Sequence, residues 1–245
     1  SSFFIGLCAG QLMVGPLLDR FGRKIPLCIG LVLYIIASVG CSLATTVETL
    51  IAFRFIQALG CCVGMVAPNA MVRDLFPVAE NAKIFSLLIL ILGVSPILAP
   101  TVGSFVVAAF GWPMVFTVLA VVTTLILGIV FFWLPESKGA DRTVSLKPKP
   151  ILKGYANVIK KPQFTTYAFA GAVASAGLFA YLAGSPFVFM ELFDASEQQY
   201  GWIFALIAAG LIGSSQLNNL ILKHYTSAQI IRVVLLTQSM LGLLL

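Results

Sequence analysis

Apolar residues in this chain do not alternate with polar ones; they run on. Eight long apolar stretches, at about 1–18, 25–45, 47–71, 83–108, 112–134, 164–190, 199–222 and 228–245, are separated by shorter polar segments. A helix that crosses the hydrocarbon core of a bilayer needs about 20 apolar residues, and a barrel strand about 9–11 with strict alternation. These stretches are too long and too uniform for strands. In lipid the backbone must satisfy its own hydrogen bonds, so each stretch predicts a helix. The expected fold class is all-α and transmembrane, with about eight spans. The chain starts inside one apolar stretch and stops inside another, "SMLGLLL". An internal piece of a longer protein is therefore expected.

Composition strengthens this reading. Hydrophobic residues make up 60% of the chain and charged residues 10%, with a mean hydropathy of +1.03. A soluble domain averages about 45–50% apolar and 25% charged. Cys8, Cys28, Cys41, Cys61 and Cys62 all lie in apolar stretches. Their odd number and irregular spacing suggest neither a disulfide framework nor a metal site. With no phosphate-binding glycine loop, no His/Cys ligand set and one histidine, neither an enzyme nor a resident cofactor is expected.

The net charge of +6 would suit nucleic acid if it were clustered, but it is distributed by loop. The first, third, fifth and seventh loops carry every Lys and Arg except Arg54, among them Arg20, Arg23, Lys24, Arg73, Lys138 and Lys149. The second, fourth and sixth carry Glu48, Glu191, Asp194 and Glu197 instead. This alternation follows the positive-inside rule. It places the odd-numbered loops in the cytoplasm of a multi-pass inner-membrane protein, with membrane lipids as neighbours and no nucleic-acid partner.

One polar segment is much longer than the rest. It runs from Pro135 to Gln163 and divides five spans from three. We expect an N-terminal bundle over 1–134, a linker over 135–163 and a partial second bundle over 164–245. Within the linker, Leu152, Tyr155, Val158 and Ile159 recur at helical spacing. That pattern fits a short interfacial helix, and a solvated linker touching anionic lipid fits it equally well.

Three segments hold candidate chemistry. "GPLLDRFGRK", Gly15 to Lys24, places Asp19, Arg20, Arg23 and Lys24 between two spans. Gly22 permits a tight left-handed turn there. Asp19 is placed to cap a helix or to pair with Arg20 or Arg23. Arg54 lies inside a span, where a charge costs about 2.5–3.5 kcal/mol on insertion scales and needs a partner or a wet cavity. At 100° per residue it shares a small, polar face with Gln57, Cys61, Gly64 and Pro68. Either it lines a cavity and tunes a nearby acid, or backbone carbonyls of a neighbouring helix satisfy it. Pro96 and Pro100, flanked by Gly93 and Gly103, favour a kinked helix, although Pro and Gly are also ordinary in membrane helices.

These segments resemble a known family. Gly15 to Lys24 is similar to the G-x-L-x-D-R-x-G-R-[RK] loop of the major facilitator superfamily. "RFIQALG", Arg54 to Gly60, resembles its R-x-x-Q-G motif, and "GVSPILAPTVGS", Gly93 to Ser104, its antiporter motif. Ala58, Ala99 and Ser104 stand where the family has glycine. The details are most similar to bicyclomycin-resistance drug/proton antiporters. The resemblance implies a major-facilitator-type helix bundle, with the eight spans as family helices two to nine. It implies a monomeric transporter that exchanges protons for small amphipathic drug-like compounds by alternating access. Gly15, Asp19, Arg20, Gly22, Arg23 and Lys24 would form a latch between halves, or else only a topology anchor. Arg54 and Gln57 would take part in proton coupling. Gly93, Pro96, Ala99, Pro100 and Gly103 would form a helix that seals against leak. The alternatives are a related carrier for an amino acid, sugar or short peptide, and a transport-dead membrane protein.

Overall fold

The computed structural model describes the chain from Ser2 to Leu244 apart from Lys223. Within its helices the side chains at 2, 78–79, 82–83, 86, 89, 93–94, 96–98, 100–101, 104, 182–183, 197–198, 208, 211, 215, 219, 227–228 and 244 fall outside the described set. The elements are α1 (Ser2–Phe21), α2 (Lys24–Ser42), α3 (Val47–Leu75), α4 (Val78–Phe110), α5 (Pro113–Trp133), α6 (Pro148–Ile159), α7 (Pro162–Pro186), α8 (Glu197–Ile221) and α9 (Ser227–Leu244). Each expected span coincides with one helix. The remaining helix, α6, lies in the long polar segment, where the sequence admits an amphipathic helix. Among the described residues, five helices hold a stretch long and apolar enough to cross a membrane: α2, α3, α5, α7 and α8.

Local sequence accounts for the helix ends. Pro113, Pro148 and Pro162 open α5, α6 and α7; proline suits a first turn, where its missing N–H has no partner to lose. At the start of α3 the Thr46 hydroxyl accepts the Thr49 N–H at 3.3 Å, and the Thr49 hydroxyl accepts the Thr46 N–H at 3.4 Å. This reciprocal cap satisfies two donors at once. At Ser185-Pro186 the backbone changes register. Pro186 ends α7, and Phe187–Leu192 continue as a wider π-type turn. Proline has no N–H to continue the α-helical ladder, which accounts for the break at this residue.

The chain divides into two compact units. One comprises Ser1–Phe76 with Thr101–Ser196, the other Pro77–Pro100 with Glu197–Leu245. In the first unit α3 packs against both α1 and α2, and α2 packs against α5. The core between them holds Val14, Leu18, Leu27, Cys62, Val63 and Met71. Helices in lipid gain little from hydrophobic burial against one another, so they depend on close approach through small residues. The α2–α3 crossing follows that rule. A Cβ added to Gly60 would lie 2.6 Å from the Gly30 carbonyl oxygen and 2.7 Å from the Tyr34 nitrogen. Large apolar side chains point outward, as with Phe105 at 72%, Phe132 at 76% and Trp133 at 76% exposure. Such a surface suits lipid and not water.

Candidate functional site

The α1–α2 turn holds a dense polar network. Gly22 has φ +85°, a conformation that a side chain disfavours. A Cβ there would also lie 2.8 Å from Glu136 Oε2. The turn delivers Arg23 into the protein, where it is 6% exposed. Its Nη1 donates to Asp19 Oδ1 at 2.9 Å and its Nε to Asp74 Oδ2 at 2.8 Å. Burial works against the guanidinium charge, but bonds and charges from Asp74 and Asp19 outweigh it. They push the Arg23 pKa above the ordinary arginine value.

The backbone is held as tightly as the side chain. Glu136, just past α5, accepts the Arg23 N–H at 2.6 Å and the Lys24 N–H at 3.1 Å. A carboxylate at the start of α2 meets its unpaired N–H groups and the positive end of its dipole. Arg20 Nη1 donates to the Val144 carbonyl at 2.9 Å, and the Asp141 N–H donates to the Asp19 carbonyl at 3.2 Å. Lys24 lies over the Phe131 ring at 5.9 Å. The ends of α1, α3 and α5 thus meet at one end of the unit, stitched by charge. Of the expected pairings, Asp19 takes Arg23, while the helix cap falls to Glu136. Sequence reasoning missed Asp74 and Glu136. Their only signal is that each carboxylate stands at the end of an apolar run.

Arg54 lies in α3 away from that end. Its Nη1 donates to Gln57 Oε1 at 2.8 Å; Gln57 Nε2 donates to Ser38 Oγ at 2.7 Å, and Ser38 Oγ to the Tyr34 carbonyl at 2.8 Å. Gln57 and Ser38 are fully buried, at 0% exposure. The Arg54 guanidinium carbon lies 4.6 Å from the Phe3 ring centroid and 5.5 Å from that of Phe116. The cation is therefore held by a neutral hydrogen-bond chain and two aromatic rings. Among the described residues it makes no ion pair. Ala58, in place of the family's glycine, is fully buried, and its Cβ would be 3.0 Å from a Cβ at Gly6.

The third motif is described only in part. Gly93 to Ser104 lies within α4, but the side chains at Gly93, Pro96, Pro100 and Ser104 fall outside the described residues. Ala99 is exposed and Gly103 half-buried, with nothing within 4 Å of a Cβ built at Gly103.

Long apolar helices packed through small residues, a charge-stitched inter-helix turn and a cation inside a span define a polytopic α-helical membrane protein. The family model described as Major Facilitator Superfamily matches residues 1–245. The chain belongs to the major facilitator superfamily, a family of transporters and not enzymes. It is 33% identical over 213 residues to an uncharacterised major-facilitator-type transporter of Bacillus subtilis, covering 86% of this chain and 53% of that protein. It is 27% identical over 243 residues to the bicyclomycin resistance protein homolog of Haemophilus influenzae, covering 99% and 61%. It is 33% identical over 210 residues to the multidrug resistance protein MdtL of Escherichia coli, covering 85% and 52%. The chain thus spans between 52% and 61% of the length of these curated relatives.

Proposed function

We propose that the protein, in its natural full-length form, exports small amphipathic drug-like compounds in exchange for protons. The observation that carries this reading is Arg54. A charge inside a span is costly and marks ion or substrate pathways. This one is kept on neutral partners, so its field is available to an acid elsewhere in the pathway, whose proton affinity it would lower. The names of the Haemophilus influenzae and Escherichia coli relatives, a bicyclomycin and a multidrug resistance protein, support drug-like compounds as substrates. In everted vesicles carrying the protein from its whole gene, adding a substrate drug should dissipate an imposed pH gradient. A gradient untouched by every compound of a broad drug panel would overturn the reading.

The odd-numbered loops are cytoplasmic in this proposal, and the residues divide as a bundle over 1–134, a linker over 135–163 and a second bundle over 164–245. The meeting of the first, third and fifth loops around Arg23 supports a common side for them. The Gly15–Lys24 turn acts as a latch that holds one conformation. Asp19→Asn keeps the shape and removes a charge at a half-exposed contact, so it should shift the inward/outward balance by at most about 1 kcal/mol. Cysteine accessibility at the cytoplasmic mouth reads that shift. Unchanged accessibility with lost expression would make the turn an anchor only.

A further inference from the structure

The geometry points to α6 as a docking surface for anionic phospholipid, through the Leu152/Ile159 edge and its lysine border. Residues 147–161 read "KPKPILKGYANVIKK", with Lys147, Lys149, Lys153, Lys160 and Lys161 and no acidic residue. At about 100° per residue the helix has three flanks. Ile151, Tyr155 and Val158 form the first. Leu152 and Ile159 form the second, beside it. Lys149, Lys153 and Lys160 fall within about 40° of one another on the third, directly next to the second.

The first flank faces α1, although Val158 stays 38% exposed. Ile151, Tyr155 and Val158 line a groove of about 390 Å³ shared with Gly15, Pro16 and Asp19 of α1. The Tyr155 hydroxyl donates to the Leu12 carbonyl. Leu12 lies nine residues before the end of α1 at Phe21, about 13 Å back along that helix. Helix α6 therefore lies beside residues 12–19 of α1, just inside the point where Asp19 and Arg20 mark the end of the apolar run. That is where an interfacial helix sits, its apolar face about 5–10 Å into the headgroup boundary.

The other two flanks are unpartnered at that depth. Leu152 is 66% exposed and Ile159 61%, and Lys149, Lys153 and Lys160 are exposed beside them. An apolar edge bordered by several cations matches the acyl and phosphate layers of an anionic leaflet in order. A soluble acidic partner would match the lysines but would leave the two apolar side chains at the bilayer surface. Charge complementarity and depth together favour lipid.

The test uses the full-length protein in nanodiscs, with an environment-sensitive fluorescent amino acid replacing Ala156, which lies between the apolar and basic flanks. Raising phosphatidylglycerol in a phosphatidylcholine disc should shift emission to the blue, and high salt should reverse the shift. The triple variant Lys149→Gln/Lys153→Gln/Lys160→Gln should lower the apparent affinity for the anionic lipid on the order of 100-fold, about fivefold per lysine. Leu152→Ser/Ile159→Ser should weaken the shift while leaving its salt dependence. Emission that ignores phosphatidylglycerol, or a shift that persists in the triple variant, would overturn the proposal. So would a blue shift in pure phosphatidylcholine on adding soluble polyglutamate, because the surface would then serve an acidic protein partner.

Discussion

Arg23 Nε and Asp74 Oδ2 lie 2.8 Å apart across 51 residues of chain, joining the α1–α2 turn to the end of α3. Arg23 is 6% exposed, and the Asp74 and Asp19 side chains are 19% and 45% exposed. Removing the more buried acid leaves a buried cation short of its counter-charge. Asp74→Asn should therefore cost about 3 kcal/mol, within the range for broken buried pairs. Asp19→Asn, at the wetter contact, should cost at most about 1 kcal/mol. Thermal unfolding of the detergent-solubilised protein should rank the two in that order. Equal losses would show that the turn is a solvated network with no buried hub.

A pH effect is expected in the long loop. The hydroxyl and amide of Thr143 both donate to Asp141 Oδ1, at 2.6 and 2.9 Å. These bonds, the hydroxyl first, hold the Asp141 carboxyl below its ordinary value of 3.8. A depressed acid stabilises the folded turn above the unfolded value and loses that contribution as pH falls through the folded one. The contribution of this acid to order in the loop should thus be complete above the ordinary carboxylate range and be lost as pH falls through it. Carboxyl carbon shifts in aspartate-labelled protein should show Asp141 titrating low, and Thr143→Val should move it back up. An unmoved titration in Thr143→Val would assign the depression to another cause.

The α2–α3 crossing predicts a sharp contrast between two glycines of one helix. Gly60→Ala puts a methyl against backbone of α2, at 2.6 Å from Gly30 O and 2.7 Å from Tyr34 N. Backbone cannot swing aside, so the helices must separate, at about 1–3 kcal/mol. Gly64→Ala one turn on meets nothing within 4 Å and should be neutral or stabilising by up to about 1 kcal/mol. Melting of the two variants in the same detergent compares them directly. A tolerated Gly60→Ala would mean that the crossing is looser than described.

Orientation is tested by labelling. Gly139 is exposed in the long loop, with open space around a built Cβ, and Ser196 is exposed in the sixth loop. Ser196→Cys should react with an impermeant maleimide in intact cells, and Gly139→Cys only after permeabilisation. The reverse pattern would invert the proposed topology.

The helices were legible because lipid demands continuous apolar runs, and nothing tertiary overrides that demand. The turn residues were legible through Gly22 and the charge spacing around it. Asp74 and Glu136 were not, since an acid at the end of an apolar run reads as solvated until a buried cation is seen to reach it. The Arg54–Gln57 pair followed from helical periodicity alone, being three apart on one helix. Its rings did not: with 19 phenylalanines in the chain, no sequence pattern singles out Phe3 and Phe116. The same limit hid the Ser38 link, which lies 19 residues from Gln57 on another helix.

Arg54 should serve coupling more than folding. Its partners are Gln57 and two rings, all neutral, so losing the charge strands no buried carboxylate among the described residues. Deleting it even removes an insertion penalty of a few kcal/mol. Arg54→Ala should leave membrane abundance near normal. Export driven by a pH gradient should collapse, because an acid that relied on this cation would hold its proton more tightly. Arg54→Lys should rescue in part, since Lys keeps the charge but not the planar fork that reaches Gln57 while lying over both rings. Phe116→Leu keeps the apolar cover and removes one ring face, a loss of about 0.5–2 kcal/mol to the cation; its effect should be a shifted pH profile and not lost protein. Abundance by blot and pH-dependent drug efflux in everted vesicles separate the cases. Normal efflux in Arg54→Ala would show a tolerated charge, and lost abundance would show that the Arg54–Gln57–Ser38 chain holds α2 and α3 together.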